Sequence, residues 1–567
     1  MSSATLDADD GSPRRARGIP PAVLRTLDYL CISLFVTAPL WSPGYLLVGD
    51  AVFGPRIPFV YTPTSSMTML EALLSVINLV VPSEVIEKLL FTAALVLAGL
   101  GVHRLVRVQN QAVRFAAGNL AIFNPFVYDR LMYGQWTVLL AYALLPWLWS
   151  SIGARDAQGS TSSPVWPTAA WCTAIIGVSL PMGYIACALL VMALSTQLAL
   201  AAAADRRACG LRGARMLVAI LVLNCSWLLP TVWLRSPDLA RALGFSIEEF
   251  YAFATQADPR WGVWLTVWGG HGFWAESTGR FILLREQEAY WPLLPIALLA
   301  LGVLGLAGRW AFAADRPAIL TVLGCWVLSG ALAAGMATPP TSALTGFLAR
   351  HVFAYGGLRD TQKWGSLTLM GEIFAAAWGL DASLRRFRGP LLRRLVETGA
   401  VVAPLLFAPT MLWGCAGQLR ASRYPPSWYA ATRLLSRDGL AHPTLFLPYH
   451  QYLRLPFTSG VVANPAVPFF GPSITSGDNM QMPGIYADVP SGWGANTIAL
   501  LQMAEAHSRS VAQILAKGGI RYILLAHAAD WERYRYLQAA PGLRVVASWP
   551  DLTLIADTLP SGTTPRR

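Results

Sequence analysis

The chain has 567 residues, of which 54% are hydrophobic and only 13% charged, and its mean hydropathy is +0.46. Soluble proteins of this length carry about a quarter charged residues, so that class is excluded. The net charge of +12 would admit nucleic acid as a partner, but the placement of the arginines excludes it.

Residues 1–23 are polar and contain Pro and Arg, with no small-residue cleavage site behind a short apolar core. They read as a cytoplasmic tail before a retained anchor rather than as a signal peptide. Apolar stretches then recur near 27–47, 86–103, 111–126, 134–151, 167–181, 183–203, 213–233, 291–308, 317–337, 365–383 and 396–415. Read as crossings, they number about eleven, although 111–126 and 167–181 fall short of the usual length of about 20 residues. Arginines cluster between these stretches: Arg14, Arg15 and Arg17; Arg104, Arg107 and Arg114; Arg206, Arg207, Arg212 and Arg215; Arg309 and Arg316; Arg385, Arg386, Arg388, Arg393 and Arg394. Each cluster marks a cytoplasmic loop by the positive-inside rule. Merging 167–181 with 183–203 would put the Arg206–Arg215 cluster outside, so the two stay separate. An odd number of crossings starting inside leaves the C-terminal region outside.

Four outward loops carry the chemistry. The first, 48–85, holds Asp50, the prolines Pro55, Pro58 and Pro63, and an apolar segment Met67–Val81 whose one charge is Glu71. That segment is expected to lie flat on the membrane surface. The second, Asn124–Trp136, contains Asp129, Arg130 and Tyr133. The third, 234–290, places Trp261, Trp264, Trp268 and Trp274 around a Gly-rich turn containing His271, with Glu286 and Glu288 as candidate second acids. Its tryptophans suit either sugar stacking or an interfacial aromatic belt. The fourth, 338–364, ends in Arg359, Asp360 and Lys363. Arg359 and Lys363 are four apart and would share one face of a helical turn, either to bind a phosphate or to snorkel toward headgroups. Glu372 falls inside the 365–383 stretch, where an acid usually faces a cavity or a partner.

Residues 416–567 change character. Short β-type runs at Thr444–Leu447, Tyr522–Ala526, Arg544–Ser548 and Leu552–Ala556, the last two flanking Trp549-Pro550-Asp551, predict strands and a terminal hairpin. Val511–Lys517 before Gly518-Gly519 predicts a helix closed by glycine. The expected organisation is a tail at 1–23, a transmembrane domain at 24–415 and a small α/β exodomain at 416–567. None of the seven cysteines lies in the exodomain or forms a C-x-x-C pair, so neither a disulfide framework nor a zinc site is spelled.

Glycosyl transfer outside the cell cannot draw on cytoplasmic nucleotide sugars and must take its sugar from a lipid phosphate. Such chemistry needs a base for the acceptor hydroxyl, which Asp50 can supply, and a cationic clamp for the departing phosphate, for which Arg359 and Lys363 are candidates. The alternative for Asp50 is an ordinary turn residue after Gly49.

The chain resembles the GT-C superfamily of polyprenyl-phosphate-sugar-dependent membrane glycosyltransferases, to which actinobacterial envelope arabinosyl- and mannosyltransferases belong. The resemblance rests on Tyr45-Leu-Leu-Val-Gly-Asp50, on Asn124-Pro125-(x)2-Tyr128-(x)5-Gly134-Gln135 before Ala141-Tyr-Ala-Leu-Leu-Pro146, on Arg359-Asp360-(x)2-Lys363, and on Gly519-Ile-Arg-Tyr522-Ile-Leu-Leu. It implies an inverting transfer catalysed by Asp50, from a polyprenyl-phosphate sugar to an envelope glycan or lipid acceptor. It also implies a multi-pass protein of the plasma membrane with the lipid bilayer as its solvent. Asp129, Arg130, Tyr133, His271 and Trp274 would line the cavity. The family often has two acids in the first loop; here Asp50 has no adjacent acidic partner, so a divalent metal is not indicated. The competing readings are a lipid-linked sugar flippase and a non-catalytic envelope assembly protein.

Overall fold

The computed structural model describes residues 20–152, 165–234, 247–437, 443–477, 480–482, 485–487, 492–506 and 508–558. The N-terminal tail expected at 1–23 lies almost wholly outside them. Nine helices lead the chain: α1 Pro21–Thr37, α2 Thr68–Asn78, α3 Ser83–Leu105, α4 Gln111–Ile122, α5 Pro125–Met132, α6 Trp136–Ile152, α7 Val165–Val178, α8 Leu180–Leu200 and α9 Ala203–Trp233. Further helices include Leu293–Trp310, Arg316–Leu323, Gly365–Leu384 and Pro390–Val402.

Among the described residues, six helical segments are long and apolar enough to cross a membrane, or seven if the pair Pro390–Phe407 and Pro409–Gly417, bent by 77°, counts as one span. This count does not match the expected eleven, and the reasons are local. The stretch 111–126 contains a break: α4 stops at Ile122, and Asn124-Pro125 starts a new helix. At 12 residues, α4 is about 18 Å long, well short of a bilayer core of about 30 Å. α7 is similarly short at 14 residues. Gly365–Leu384 has 20 residues but is almost entirely buried among other helices, chiefly Leu293–Trp310. The 167–181 and 183–203 stretches do form two helices, with Ser179 between them.

The α2 helix leaves Met69, Leu73 and Val76 exposed along one face, and Leu79 and Val80 at its end are 82% and 83% exposed. This is the apolar stripe of an interfacial helix. At another end of the bundle, Arg107, Arg212 and Arg309 come together around one cavity of about 720 Å³ that Trp149 and Trp378 also line. Three of the arginine clusters therefore share a side.

A five-stranded mixed sheet forms in the C-terminal region from β1 Thr444–Leu447, β4 Ile474–Thr475, β7 Tyr522–Ala526, β8 Leu543–Ser548 and β9 Leu552–Asp557. Its order is β4-β1-β7-β9-β8. β1 runs parallel to β4 and β7, and β9 antiparallel to β7 and β8. The four strands and the helix Val511–Lys517 stand where the sequence predicts them. Two small antiparallel ribbons were not foreseen: β2 Tyr452–Arg454 with β3 Val461–Ala463, and β5 Met480–Met482 with β6 Ile485–Ala487.

The first loop packs into this sheet region. Tyr45, Leu47 and Phe53 share a core with Trp428, Phe446 and Phe469. Tyr45 exchanges backbone hydrogen bonds with Ser422 at 2.8 and 2.7 Å, and the Tyr424 hydroxyl donates to the Phe53 carbonyl at 3.0 Å.

Candidate active site

Asp50 sits where two tight turns meet back to back. The second of these follows α5, and local chemistry explains its shape. Asn124 caps α5 by accepting the Val127 N–H at 2.9 Å, and Pro125 takes the first helical position, where its missing N–H costs nothing. The helix closes at Gly134, with φ of +66°, a left-handed conformation that favours glycine. Gly49, at φ +52°, turns the first loop in the same way, and a Cβ there would stand 2.1 Å from the Tyr133 carbonyl oxygen. That carbonyl accepts the Asp50 N–H at 2.8 Å, while β3 clamps Gly49 on the other side: Gly49 N–H to Val461 at 3.0 Å and Ala463 N–H to Gly49 at 2.7 Å.

The Asp50 turn therefore tolerates no side chain at position 49. Gly49→Ala is expected to destabilise the turn and lower the thermal midpoint, since left-handed strain of about 1–2 kcal/mol adds to a backbone clash. Gly460→Ala, with no atom within 4 Å of the new Cβ, should behave as wild type. The thermal midpoint of both variants in detergent checks this.

The Asp50 carboxylate accepts two hydrogen bonds, from the Tyr452 hydroxyl to Oδ1 at 2.5 Å and from Gln135 Nε2 to Oδ2 at 3.1 Å. Gln135 faces two ways, because its Oε1 accepts from Arg130 at 2.6 Å. Arg130, 1% exposed, in turn grips Asp360 through both terminal nitrogens at 2.7 and 3.4 Å. Its guanidinium also lies over the Phe273 ring at 4.2 Å. Lys363 donates to Asp360 at 3.1 Å. A continuous chain thus runs Lys363–Asp360–Arg130–Gln135–Asp50–Tyr452. Beside it, the half-buried Arg280 donates to the Tyr133 hydroxyl at 3.3 Å.

These contacts set the charge states. Burial raises the Asp50 carboxyl above its ordinary value, while the hydrogen bonds from Tyr452 and Gln135 and the charges of Lys363 and Arg130 pull it down. Burial would raise Asp360 as well, but Arg130 and Lys363 outweigh it and hold that carboxyl below the usual range. Lys363 is lowered by burial, against the pull of Asp360. Two carboxylates face three cations (Arg130, Lys363 and Arg280), which leaves the cluster electropositive around one raised carboxylate. A base beside a surplus of positive charge suits proton abstraction coupled to departure of a phosphate.

The candidates taken from sequence divide. Arg130, Tyr133 and Lys363 reach the Asp50 cluster. Arg359 faces Glu249 at 3.8 Å and lies over the Phe253 ring at 4.8 Å. Residues 359–364 are not one α-helical turn; Thr361–Trp364 is a separate 3₁₀ turn.

Asp129 lies beside Glu276; burial and the Glu276 charge push its carboxyl well above the ordinary range, while Glu276 faces Arg285 at 2.7 Å. His271 is buried against Trp291 and lines a crevice of about 10 Å³ with Asp129 and Arg130. Burial lowers its pKa to about 3, which keeps the imidazole neutral.

Trp274 corrects the expectation of a sugar platform. It is 3% exposed, wedged edge-on against Tyr133 at 5.0 Å and Phe253 at 4.9 Å, so it props Tyr133 and offers no face to a sugar. Glu286 is exposed, and Glu288 is buried near Tyr290. Glu372 is 1% exposed, and neither of its carboxyl oxygens has a hydrogen-bond partner among the described residues. Among the described residues, no group of three or more His, Cys, Asp or Glu side chains is placed to hold a metal ion.

Gln135 and Asp360 stood inside the quoted motifs without a role. Tyr452 and Arg280 carried no local signal; an Arg after the left-handed Gly279 or a Tyr opening a short strand looks ordinary until the fold brings them in.

No protein-family model matches the chain, and no curated protein matches it. Solved structures do. The single-particle cryo-EM structure of arabinofuranosyltransferase AftD from Mycobacteria superposes with a TM-score of 0.57 at 15% identity, over 95% of this chain and 40% of that one. One class of a point mutant of AftD from Mycobacteria superposes with a TM-score of 0.56 at 16% identity, over 94% of this chain and 41% of that one. The chain therefore spans about 40% of the length of the structures it matches. Over nearly its whole length the chain shares the fold of that arabinofuranosyltransferase.

Proposed function

We propose that this chain is a membrane glycosyltransferase that moves a sugar from a polyprenyl-phosphate donor to a glycan or lipid acceptor on the outer face of the plasma membrane. The observation that carries the reading is the charged chain from Lys363 to Asp50, standing in a fold shared with an arabinofuranosyltransferase. The gathering of Arg107, Arg212 and Arg309 at one cavity supports an arrangement in which that side is cytoplasmic, with the C-terminal sheet region outside.

In the proposed step, Asp50 removes the proton from an acceptor hydroxyl. The oxygen attacks the anomeric carbon, the bond from that carbon to the phosphate oxygen breaks, and polyprenyl phosphate leaves with the bonding pair. One displacement inverts the anomeric centre. Lys363 and Arg280 are the cations placed to meet charge growing on the phosphate, with Arg359 further out. Arg130 and Gln135 do not touch the reacting atoms; they position Asp50.

The testing experiment is the envelope glycan and lipid-sugar profile of a deletion strain complemented with wild type or Asp50→Asn. The expected result is that wild type restores a missing glycan and the folded variant does not, with the polyprenyl-phosphate sugar accumulating. Full rescue by Asp50→Asn would reject the transferase in favour of transport or scaffolding.

A pH profile follows from the same contacts. Because Asp50 is raised, transfer should fall as pH drops through a value above the ordinary carboxylate range. Tyr452→Phe removes a bond that lowers this pKa. A charged hydrogen bond is worth about 1.5–3 kcal/mol, or about 1–2 pH units, so the acidic limb of the pH–rate curve should move up by that much. An unmoved limb would show that Asp50 is not the titrating base.

A further inference from the structure

The C-terminal region contains a pocket that the proposed transfer step does not use. It encloses about 270 Å³ and is walled by Tyr449, His450, Tyr534 and Tyr536, with Ile498 and Leu501 at its base and Gln502, Glu505, Asp530 and Arg533 at its rim. The polar groups are already ordered. His450 Nε2 lies 2.9 Å from Asp530 Oδ1, and Arg533 reaches Asp530 at 3.6 Å and Glu505 at 4.0 Å.

The chemistry of the wall narrows the ligand. Three tyrosines line the pocket and bring aromatic surface of the kind that packs on apolar C–H patches. Two carboxylates with one guanidinium and one amide supply directed acceptors and donors for hydroxyls. Carboxylates outnumber the arginine, which disfavours a phosphate or another anion, so this is not a second donor site. The volume lies just below the usual small-ligand range of about 300–1,000 Å³, which suits one or two sugar rings.

The position ties the pocket to Asp50. His450 stands two residues before Tyr452, so their Cα atoms are at most about 7 Å apart, and Tyr452 holds Asp50. The run 461–464 fastens both ends: Ala463 N–H binds the Gly49 carbonyl at 2.7 Å, Asn464 N–H binds Gln451 at 2.7 Å, and Asn464 Nδ2 binds the His450 carbonyl at 3.0 Å. A ligand in the pocket is therefore registered against the base through short, rigid backbone.

We propose that this pocket is a neutral-glycan subsite that holds one or two rings of the acceptor, away from the ring whose hydroxyl reacts. The proposal rests on the transferase reading of Asp50, and it makes the C-terminal region a selector of acceptor length.

The test uses the full chain in lipid nanodiscs and reads binding by saturation-transfer NMR and calorimetry, separately from transfer. The probes are arabino-, manno- and gluco-oligosaccharides of about three to six rings, with a sugar phosphate as the anionic comparison. Gln502→Trp fills the mouth from an exposed position, and Arg533→Ala removes an exposed rim donor; both should keep the wild-type thermal midpoint. The expected result is binding of at least one neutral series by wild type, weakened about tenfold or more in both variants and unchanged in Asp50→Asn. No binding by wild type, equal binding by both variants, or preference for the sugar phosphate would each overturn the subsite. Pocket-dependent binding together with full rescue of the deletion strain by Asp50→Asn would keep the subsite and remove the transferase reading instead.

Discussion

Asp50→Asn is expected to lower transfer by about two to four orders of magnitude, the usual contribution of a general base, while leaving the protein folded. The substitution keeps shape and volume, and the Tyr452 hydroxyl can still donate to Oδ1. The new amide, however, cannot accept a proton from an incoming hydroxyl. It also sets an NH2 group opposite Gln135 Nε2, which now donates to Oδ2 at 3.1 Å. Gln135 cannot simply turn over, because Arg130 needs its Oε1. Release of labelled product from membranes charged with lipid-linked sugar measures the loss, with donor left unconsumed. Transfer within about tenfold of wild type, far above what removing a general base leaves, would show that another group takes the proton.

The second large effect is expected at Asp360. Its carboxylate is shared by Arg130 and Lys363 at 2.7 and 3.1 Å, in surroundings where Arg130 is 1% exposed. Asp360→Ala strands both cations, and breaking a buried pair by removing one partner costs about 3–5 kcal/mol. A marked fall in thermal midpoint in detergent should accompany loss of transfer. The double variant Arg130→Met/Asp360→Leu separates the two consequences. With Arg130 and Asp360 replaced by apolar groups of similar size, the stability lost to the stranded guanidinium should return, while Lys363 still lacks its carboxylate. Transfer should not, because Gln135 has then lost the guanidinium that orients it toward Asp50. Recovery of transfer in the double variant would show that Arg130 and Asp360 serve only the fold.

Much of the architecture was legible because its causes are local. Long apolar runs become helices, three of the arginine clusters meet at one cavity, and short apolar runs such as Tyr522–Ala526 become strands. The expected crossing count is not matched by the six or seven spans recognised among the described residues. Asn124-Pro125 cuts one apolar stretch in two, and Gly365–Leu384 spends its apolar surface on other helices rather than on lipid.

At the site, Asp50 could be singled out from its place after the first apolar stretch. Its partners could not, since Tyr452 is 402 residues away and nothing near it in the chain marks it. Trp274 was misread for a related reason. A tryptophan in an outward loop looks exposed, and only the packing of Phe253 and Tyr133 around it makes it a buried prop.

The bond between Tyr452 and Asp50 also has a bearing on biosynthesis. A ribosome adding about 5–20 residues per second needs roughly 20–80 s to travel from one to the other. During that interval the Asp50 carboxylate lacks the hydroxyl and the β3 clamp that shape it. A nascent or prematurely terminated polypeptide would thus insert into the bilayer without a working centre. The Asp50 cluster is complete only once residue 452 has been made, so a product that stops before it lacks the hydroxyl that holds the carboxylate.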